Sequence, residues 1–255
     1  GDSHLELLPS RWTPHVSAAH RDAAPKDPQP FTTADGFLVK PYEGLGGRAY
    51  PDYVEIGPNV GDRPGMGTPE QRVSELDLDG VDAEVMFSGA QGPVAWRTNI
   101  QNDDAYRAVV RGYNEFLWEE YCSVAPDRLL GLGMIPVTGV DDAIAEMAYC
   151  VRNGLVGVSL NSFPTGLSHP SPEDDRFWAA SIDLQMPVSI HVELARTGSE
   201  GKLLDYPKED ERLITELAFQ VQRFATRGAG TNAVQLLLSG LFDRFPDLRV
   251  CLAET

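Results

Sequence analysis

The chain has 255 residues, 42% hydrophobic and 23% charged, which supports a globular protein with a sizeable core and excludes disordered, collagen-like and membrane-spanning classes. No apolar run reaches about 18 residues, and Asp2, His4 and Glu6 interrupt the place where a signal peptide would carry its apolar region. A net charge of −17 without a Lys/Arg cluster argues against nucleic-acid and anionic-membrane partners, and the three widely spaced cysteines (Cys122, Cys150 and Cys251) argue for a reducing, cytoplasmic setting with buried thiols.

In chain order, DSHLE (2–6) reads as a short first strand. Residues 7–68 are rich in Pro and Gly and weakly periodic, an irregular excursion with a hairpin expected near 37–56. PEQRVSELDLDG (69–80) reads as a helix with Pro69 in its first turn, followed by the β-rich run VDAEVMF (81–87). SGAQGPVAWRTN (88–99) reads as a loop. Over 103–125 the residues Tyr106, Val109, Val110, Tyr113, Phe116, Leu117 and Tyr121 share one helical face, with Asp103 as N-cap. RLLGLGMI (128–135) and LVGVSL (155–160) are apolar strands flanking a helix over 140–154 that Gly154 ends. A helix at 172–185, a strand MPVSIHV (186–192), helices near 209–227 and 231–244, and a strand LRVCLA (248–253) complete the pattern.

Six short apolar strands thus alternate with amphipathic helices. Nearly continuous apolar runs mark strands buried on both faces, as in a parallel sheet covered by helices. A doubly wound sheet and a TIM barrel both fit; the absence of GxGxxG after the first strand weakens a dinucleotide-binding fold.

In parallel α/β proteins the chemistry gathers at the C-terminal ends of the strands. Three predicted strands carry suitable groups there. Asp2 and His4 are two apart, so strand alternation puts both on one face. His191 ends the apolar run PVSI, and Glu254 follows the last strand. Two imidazoles and two carboxylates form a donor set suited to Zn²⁺, Mn²⁺ or Fe²⁺, with an open position for a water whose pKa falls towards about 7. Trp96 and Arg97 after the second strand, Asn161 and Phe163 after the fourth, and His169 beyond them are the candidates for lining a small-molecule pocket. An arginine there would meet a carboxylate bidentately. GxSxG, Walker A and HExxH motifs are absent from the sequence.

The stretches DSHLE (2–6), LDLDGVDAEVMF (76–87), PDRLLGLGMIPV (126–137), FWAASIDLQMPVSIHV (177–192) and FDRFPDLRVCLAE (242–254) resemble, in the same order, the amidohydrolase-related family. This is the metal-dependent TIM-barrel group that includes aminocarboxymuconate semialdehyde decarboxylase and γ-resorcylate decarboxylase. The resemblance implies an α/β fold, a TIM (β/α)8 barrel ending here after its sixth strand, over a single domain 1–255 with the irregular insertion at about 7–68. It implies that Asp2, His4 and His191 are metal ligands, and that the natural protein continues by roughly a quarter to a half to complete the barrel. The family's eighth strand supplies an Asp ligand. Where the decarboxylases end the sixth strand in an acid/base His, this sequence has Glu254.

On that replacement the expectation is a hydrolase. Metal-activated water would attack an amide, ester or thioester carbonyl of a small organic acid derivative, with His191 and Glu254 as catalytic groups. The alternative is a metal-dependent, non-oxidative decarboxylase of an aromatic or muconate-like acid. A second alternative is a non-catalytic barrel fragment. The resemblance also implies a homo-oligomer, most simply a dimer.

Overall fold

The computed structural model describes residues 3–5, 7–27, 31–32, 38–39, 68–88, 92–167, 169–191 and 229–253. They belong to two compact units, Gly1–Leu132 and Gly133–Thr255.

In the first unit, β1 (Ser3–Leu5) pairs in parallel with β4 (Glu84–Ser88), and β4 with β5 (Leu129–Met134), whose last residues pass into the second unit. Between β1 and β4 come a short helix α1 (Pro9–Trp12), 3-10 turns at Thr13–His15 and Arg21–Ala23, and a two-residue antiparallel ladder of β2 (Phe31–Thr32) with β3 (Leu38–Val39). β2 lies upstream of the hairpin expected near 37–56 and β3 falls within it; the rest of that stretch lies outside the described residues.

The helix α2 (Pro69–Asp79) starts at a capping box. Thr68 accepts from the Gln71 amide, the Gln71 side chain accepts from the Thr68 amide, and Gly80 closes the helix in the left-handed region at φ 69°. After β4, the stretch read as a loop is instead a helix, α3 (Pro93–Asn99), with Pro93 in its first turn. α4 (Asp103–Phe116) is capped by Asn102, one residue before the expected Asp103; its side chain accepts from the Ala105 amide at 2.9 Å. The predicted apolar face holds, since Tyr106, Val109, Val110, Tyr113, Phe116, Leu117 and Tyr121 are all buried. The helix then widens into a π turn at Leu117–Tyr121 and tightens at Cys122–Val124.

In the second unit, β6 (Gly157–Leu160), β7 (Val188–His191) and β8 (Val250–Ala253) form parallel pairs in sequence order. Their helices are α5 (Val140–Arg152), α6 (Asp175–Asp183), α7 (Ala229–Leu238) and α8 (Leu241–Arg244). The single helix expected over 231–244 is split because Gly240 takes φ 69°, a conformation that ends α7 and that glycine adopts at no steric cost. The helix expected near 209–227 lies outside the described residues. Parallel strands joined by helical crossovers are the repeating unit of a (β/α) barrel.

Candidate active site

Strand register decides what each face presents. In the second unit Val158, Leu160, Val188 and Ile190 are buried on one face. Alternation turns Ser159, Ser189, His191 and Cys251 to the other. Ser159, Ser189 and Cys251 stand in register across β6, β7 and β8. His191 lies two residues beyond Ser189, half-buried at the C-terminal end of β7, beside Ala253 of β8. The imidazole therefore tops a polar row rather than an apolar core. The buried Ser189 hydroxyl has no hydrogen-bond partner among the described residues, so this row keeps an unspent donor beneath His191. Cys251 corrects the expectation of three buried thiols: it is exposed because it lies on β8, the last strand in the sheet order among the described residues, while Cys122 and Cys150 are buried. Burial pushes the Cys122 thiol up to about 12.

In the first unit His4 is half-buried on β1 and meets Phe87 edge-on, ring centroids 6.2 Å apart, the two being register partners. The opposite face of the same strands carries a clamp. Arg72 of α2 makes an ion pair with Glu84 of β4, and also donates to Ser3 Oγ at 2.5 Å. Ser3 Oγ in turn donates to Glu84 at 2.5 Å. This half-buried triad joins α2, β1 and β4, and so fixes the register that sets His4 beside Phe87.

Asp2 and Glu254 lie outside the described residues. His4 and His191 belong to different units and are placed each within its own.

The pocket candidates fare differently. Trp96 is buried in an aromatic cluster, 5.0 Å from the Trp12 ring and 5.7 Å from Tyr113, so it serves the core of the first unit. A cavity of about 480 Å³ borders it, lined also by Lys26, Thr98 and Asn99. Arg97 has its guanidinium committed to Asp103 (2.6 Å) and to the carbonyls of Ile100 (3.1 Å) and Gln101 (3.2 Å), which ties α3 to the start of α4. Phe163 is fully buried. Asn161 follows β6, and its Oδ1 is a buried acceptor without a partner among the described residues. His169 is buried on the same loop.

Two features were not read from the sequence. Asp174, fully buried, accepts the Thr165 and Ser171 amides at 2.9 Å each. Its carboxyl is raised to about 6, chiefly because burial disfavours the charged form more than the amides favour it. The S-x-x-D spacing of Ser171 and Asp174 was the available signal. The other feature is a group around His15, whose Nε2 lies 2.7 Å from Glu120, with Nδ1 3.7 Å from Glu119 and 4.0 Å from Glu115. Ligand atoms of His15, Glu115 and Glu119 lie within 4.8 Å of one another, the closest metal-capable grouping among the described residues. It sits beside the π turn rather than at a strand end. Three carboxylates around one imidazole are already an ion-pair arrangement when His15 is protonated, and nothing in the group requires an ion.

A run of parallel strands with imidazoles on strand faces is the framework of metal-dependent barrel enzymes. The family model described as Amidohydrolase matches residues 2–255, and the chain belongs to that family. It is similar to γ-resorcylate decarboxylase from Rhizobium sp. (strain MTP-10005), 26% identical over 195 residues that cover 72% of this chain and 54% of that protein. The chain spans about half the length of the curated relatives it matches. Among solved structures, an amidohydrolase from Mycobacterium avium subsp. paratuberculosis shares the fold over 99% of this chain and 70% of that one, with a TM-score of 0.60 at 15% identity. The 5-carboxyvanillate decarboxylase of Novosphingobium aromaticivorans, solved with manganese and 4-hydroxy-3-methoxy-5-nitrobenzoic acid, has a TM-score of 0.52 at 20% identity over 76% of this chain and 51% of that one. The fold is thus the amidohydrolase-type TIM barrel, of which the described residues carry six parallel strands. Among the described residues no helix is long and apolar enough to cross a membrane.

Proposed function

We propose that the protein is a metal-dependent decarboxylase of aromatic hydroxy acids. The hydrolase reading rested on Glu254 standing in place of a His. The curated relatives are named as γ-resorcylate decarboxylases, which supports the alternative. The observation that carries the reading is the placement of His191 at the C-terminal end of β7, above the register row of Ser159 and Ser189, in a chain of this family.

The donor set fits a divalent ion. The imidazoles of His4 and His191 are both half-buried on strands, each within its own unit, where a neutral ring nitrogen can ligate, and Asp2 is a carboxylate that the sequence offers for the ion, with Glu254 left as the acid. When bound, such an ion supplies Lewis acidity that neutralises and orients a substrate carboxylate with its neighbouring hydroxyl. The chain's own part is orientation and proton delivery. His191 in the second unit and His4 in the first would each offer a ring nitrogen to such an ion, and Asn161 Oδ1 would offer an acceptor for a ring hydroxyl. Glu254 would give a proton to the ring carbon as the bond from that carbon to the carboxylate breaks and CO₂ leaves, so that the carboxylate and one proton yield the arene and CO₂. Arg97 takes no part, its donors being committed within the chain.

The test is metal analysis of the purified protein and of His191→Ala, followed by CO₂ release from γ-resorcylate and 5-carboxyvanillate with Mn²⁺ or Zn²⁺. Loss of the metal in the variant together with CO₂ release by the wild type supports the proposal. Hydrolysis of acyl substrates without CO₂ release restores the hydrolase reading. Absence of metal and turnover in both proteins removes catalysis altogether.

A further inference from the structure

Capping accounts for only one of the two hydrogen bonds of Asp174. The 3-10 turn Pro172–Asp174 that precedes α6 is capped by Ser171, whose Oγ accepts the Glu173 amide at 3.3 Å. The Asp174 side chain closes the reciprocal half of that capping box, Oδ2 accepting the Ser171 amide, and does one thing more: Oδ1 reaches nine residues back to accept the Thr165 amide, both at 2.9 Å. Those two amides stand on opposite limbs of the loop that follows β6. The first limb leaves the strand through Asn161, Ser162 and fully buried Phe163, and turns where the Gly166 amide donates to the Phe163 carbonyl at 2.7 Å. The second limb returns through His169 and Ser171, both buried, into α6.

A neutral Asn or an exposed cap would serve a helix start without the cost of desolvating a carboxylate. Here the carboxylate is fully buried, and burial has raised its affinity for a proton. One Asn oxygen cannot accept two diverging amides in place of two carboxylate oxygens. Two acceptors on one rigid group are therefore the property that this position uses.

We propose that Asp174 is a conformational clasp, tying the two limbs of the loop after β6 through one buried carboxylate so that the loop carrying Asn161 and His169 keeps a single shape. The clasp stands on hydrogen bonds within the second unit and does not depend on the decarboxylase reading.

Amide hydrogen exchange of the intact chain, followed by mass spectrometry, tests it on wild type, Asp174→Asn and Ser171→Ala. In the wild type, peptides spanning 161–171 are protected. In Asp174→Asn, exchange in that span rises by about tenfold, because one buried amide loses its acceptor, while the span 140–152 of α5 is unchanged. Ser171→Ala, which removes only the cap, leaves Thr165 protected. Three outcomes overturn the clasp: unprotected Thr165 and Ser171 amides in the wild type, a rise shared equally with 140–152, or a loss in Ser171→Ala as large as in Asp174→Asn. The wild-type measurement stands even if Asp174→Asn fails to fold.

Discussion

Gly133→Ala tests how closely α5 lies against β5. A Cβ built on Gly133 would stand 2.4 Å from Cys150 Sγ and 3.2 Å from both Cys150 Cβ and Leu155 Cδ1. Ordinary carbon contacts are about 3.5–4.0 Å, so the thiol must move by more than about 1 Å. Cys150 and Leu155 are buried, which leaves the thiol little room to turn aside. Overpacking of this kind costs about 1–3 kcal/mol, and the lower backbone entropy of the unfolded Ala chain returns about 0.4–1 kcal/mol, so a net loss of about 1–2 kcal/mol is expected. Cys150→Ala alone removes a buried sulfur and costs about 1 kcal/mol, the scale of one buried methylene. In the double variant the new methyl occupies the space the sulfur leaves. The retained Cβ at 3.2 Å limits the relief, so the double variant should be more stable than the sum of the singles by about 1 kcal/mol. Urea unfolding of the four proteins, followed by far-UV circular dichroism, measures that coupling. Additivity within about 0.5 kcal/mol would refute the reasoning, since it would mean that α5 slides away from β5 without cost.

Asp174 predicts a pH dependence opposite to that of an ordinary paired aspartate. Its carboxyl lies near 6 in the folded chain against an ordinary 3.8, so the folded state holds the proton more tightly, and stability from this group grows as pH falls from about 6 to about 4. The gap amounts to about 3 kcal/mol at most, and comparing urea stabilities of wild type and Asp174→Asn at pH 7 and 4.5 tests it. A wild-type advantage that shrinks on acidification would show that the two amides outweigh burial. Arg72→Met should destabilise the first unit by about 3 kcal/mol, because half-buried Glu84 keeps its charge without its cation; thermal unfolding checks this, and a loss below about 1 kcal/mol contradicts the clamp. Thiol titration of the folded chain should consume one equivalent, at exposed Cys251, with Cys122 and Cys150 reacting only after denaturation. Rapid reaction of two or three thiols would contradict the burial described.

Much of the framework is legible in local pattern. The Thr68–Gln71 capping box lies at the start of the helix predicted over 69–80, the apolar face of α4 follows its 3.6-residue spacing, and the six strands lie within a few residues of the apolar runs. His191 was singled out as an imidazole ending an apolar strand run, and His4 by its two-residue spacing from Asp2. The aromatic pocket candidates show the limit of that method. Trp96 and Phe163 carry a residue type that suits a binding wall and a core equally, and both went to the core. The helix α3 was hidden because 88–99 opens with Ser, Gly and Gln-Gly, while its helix begins only at Pro93.

What the sequence determines by itself is periodicity: which residues alternate, which share a helical face, where a glycine or proline must interrupt. Only the tertiary structure decides what each face meets. Strand register aligned Ser159, Ser189 and Cys251 into one row, and the place of β8 at the end of the strand order among the described residues left Cys251 exposed where its apolar neighbours suggested burial. Burial turned Asp174, which reads as one more helix-start carboxylate, into a group near 6, against the opposing pull of the amide donated by Thr165 from nine residues away. Dihedral preferences and side-chain spacing act within a turn or two of chain, whereas desolvation and hydrogen-bond satisfaction depend on neighbours that the fold brings together.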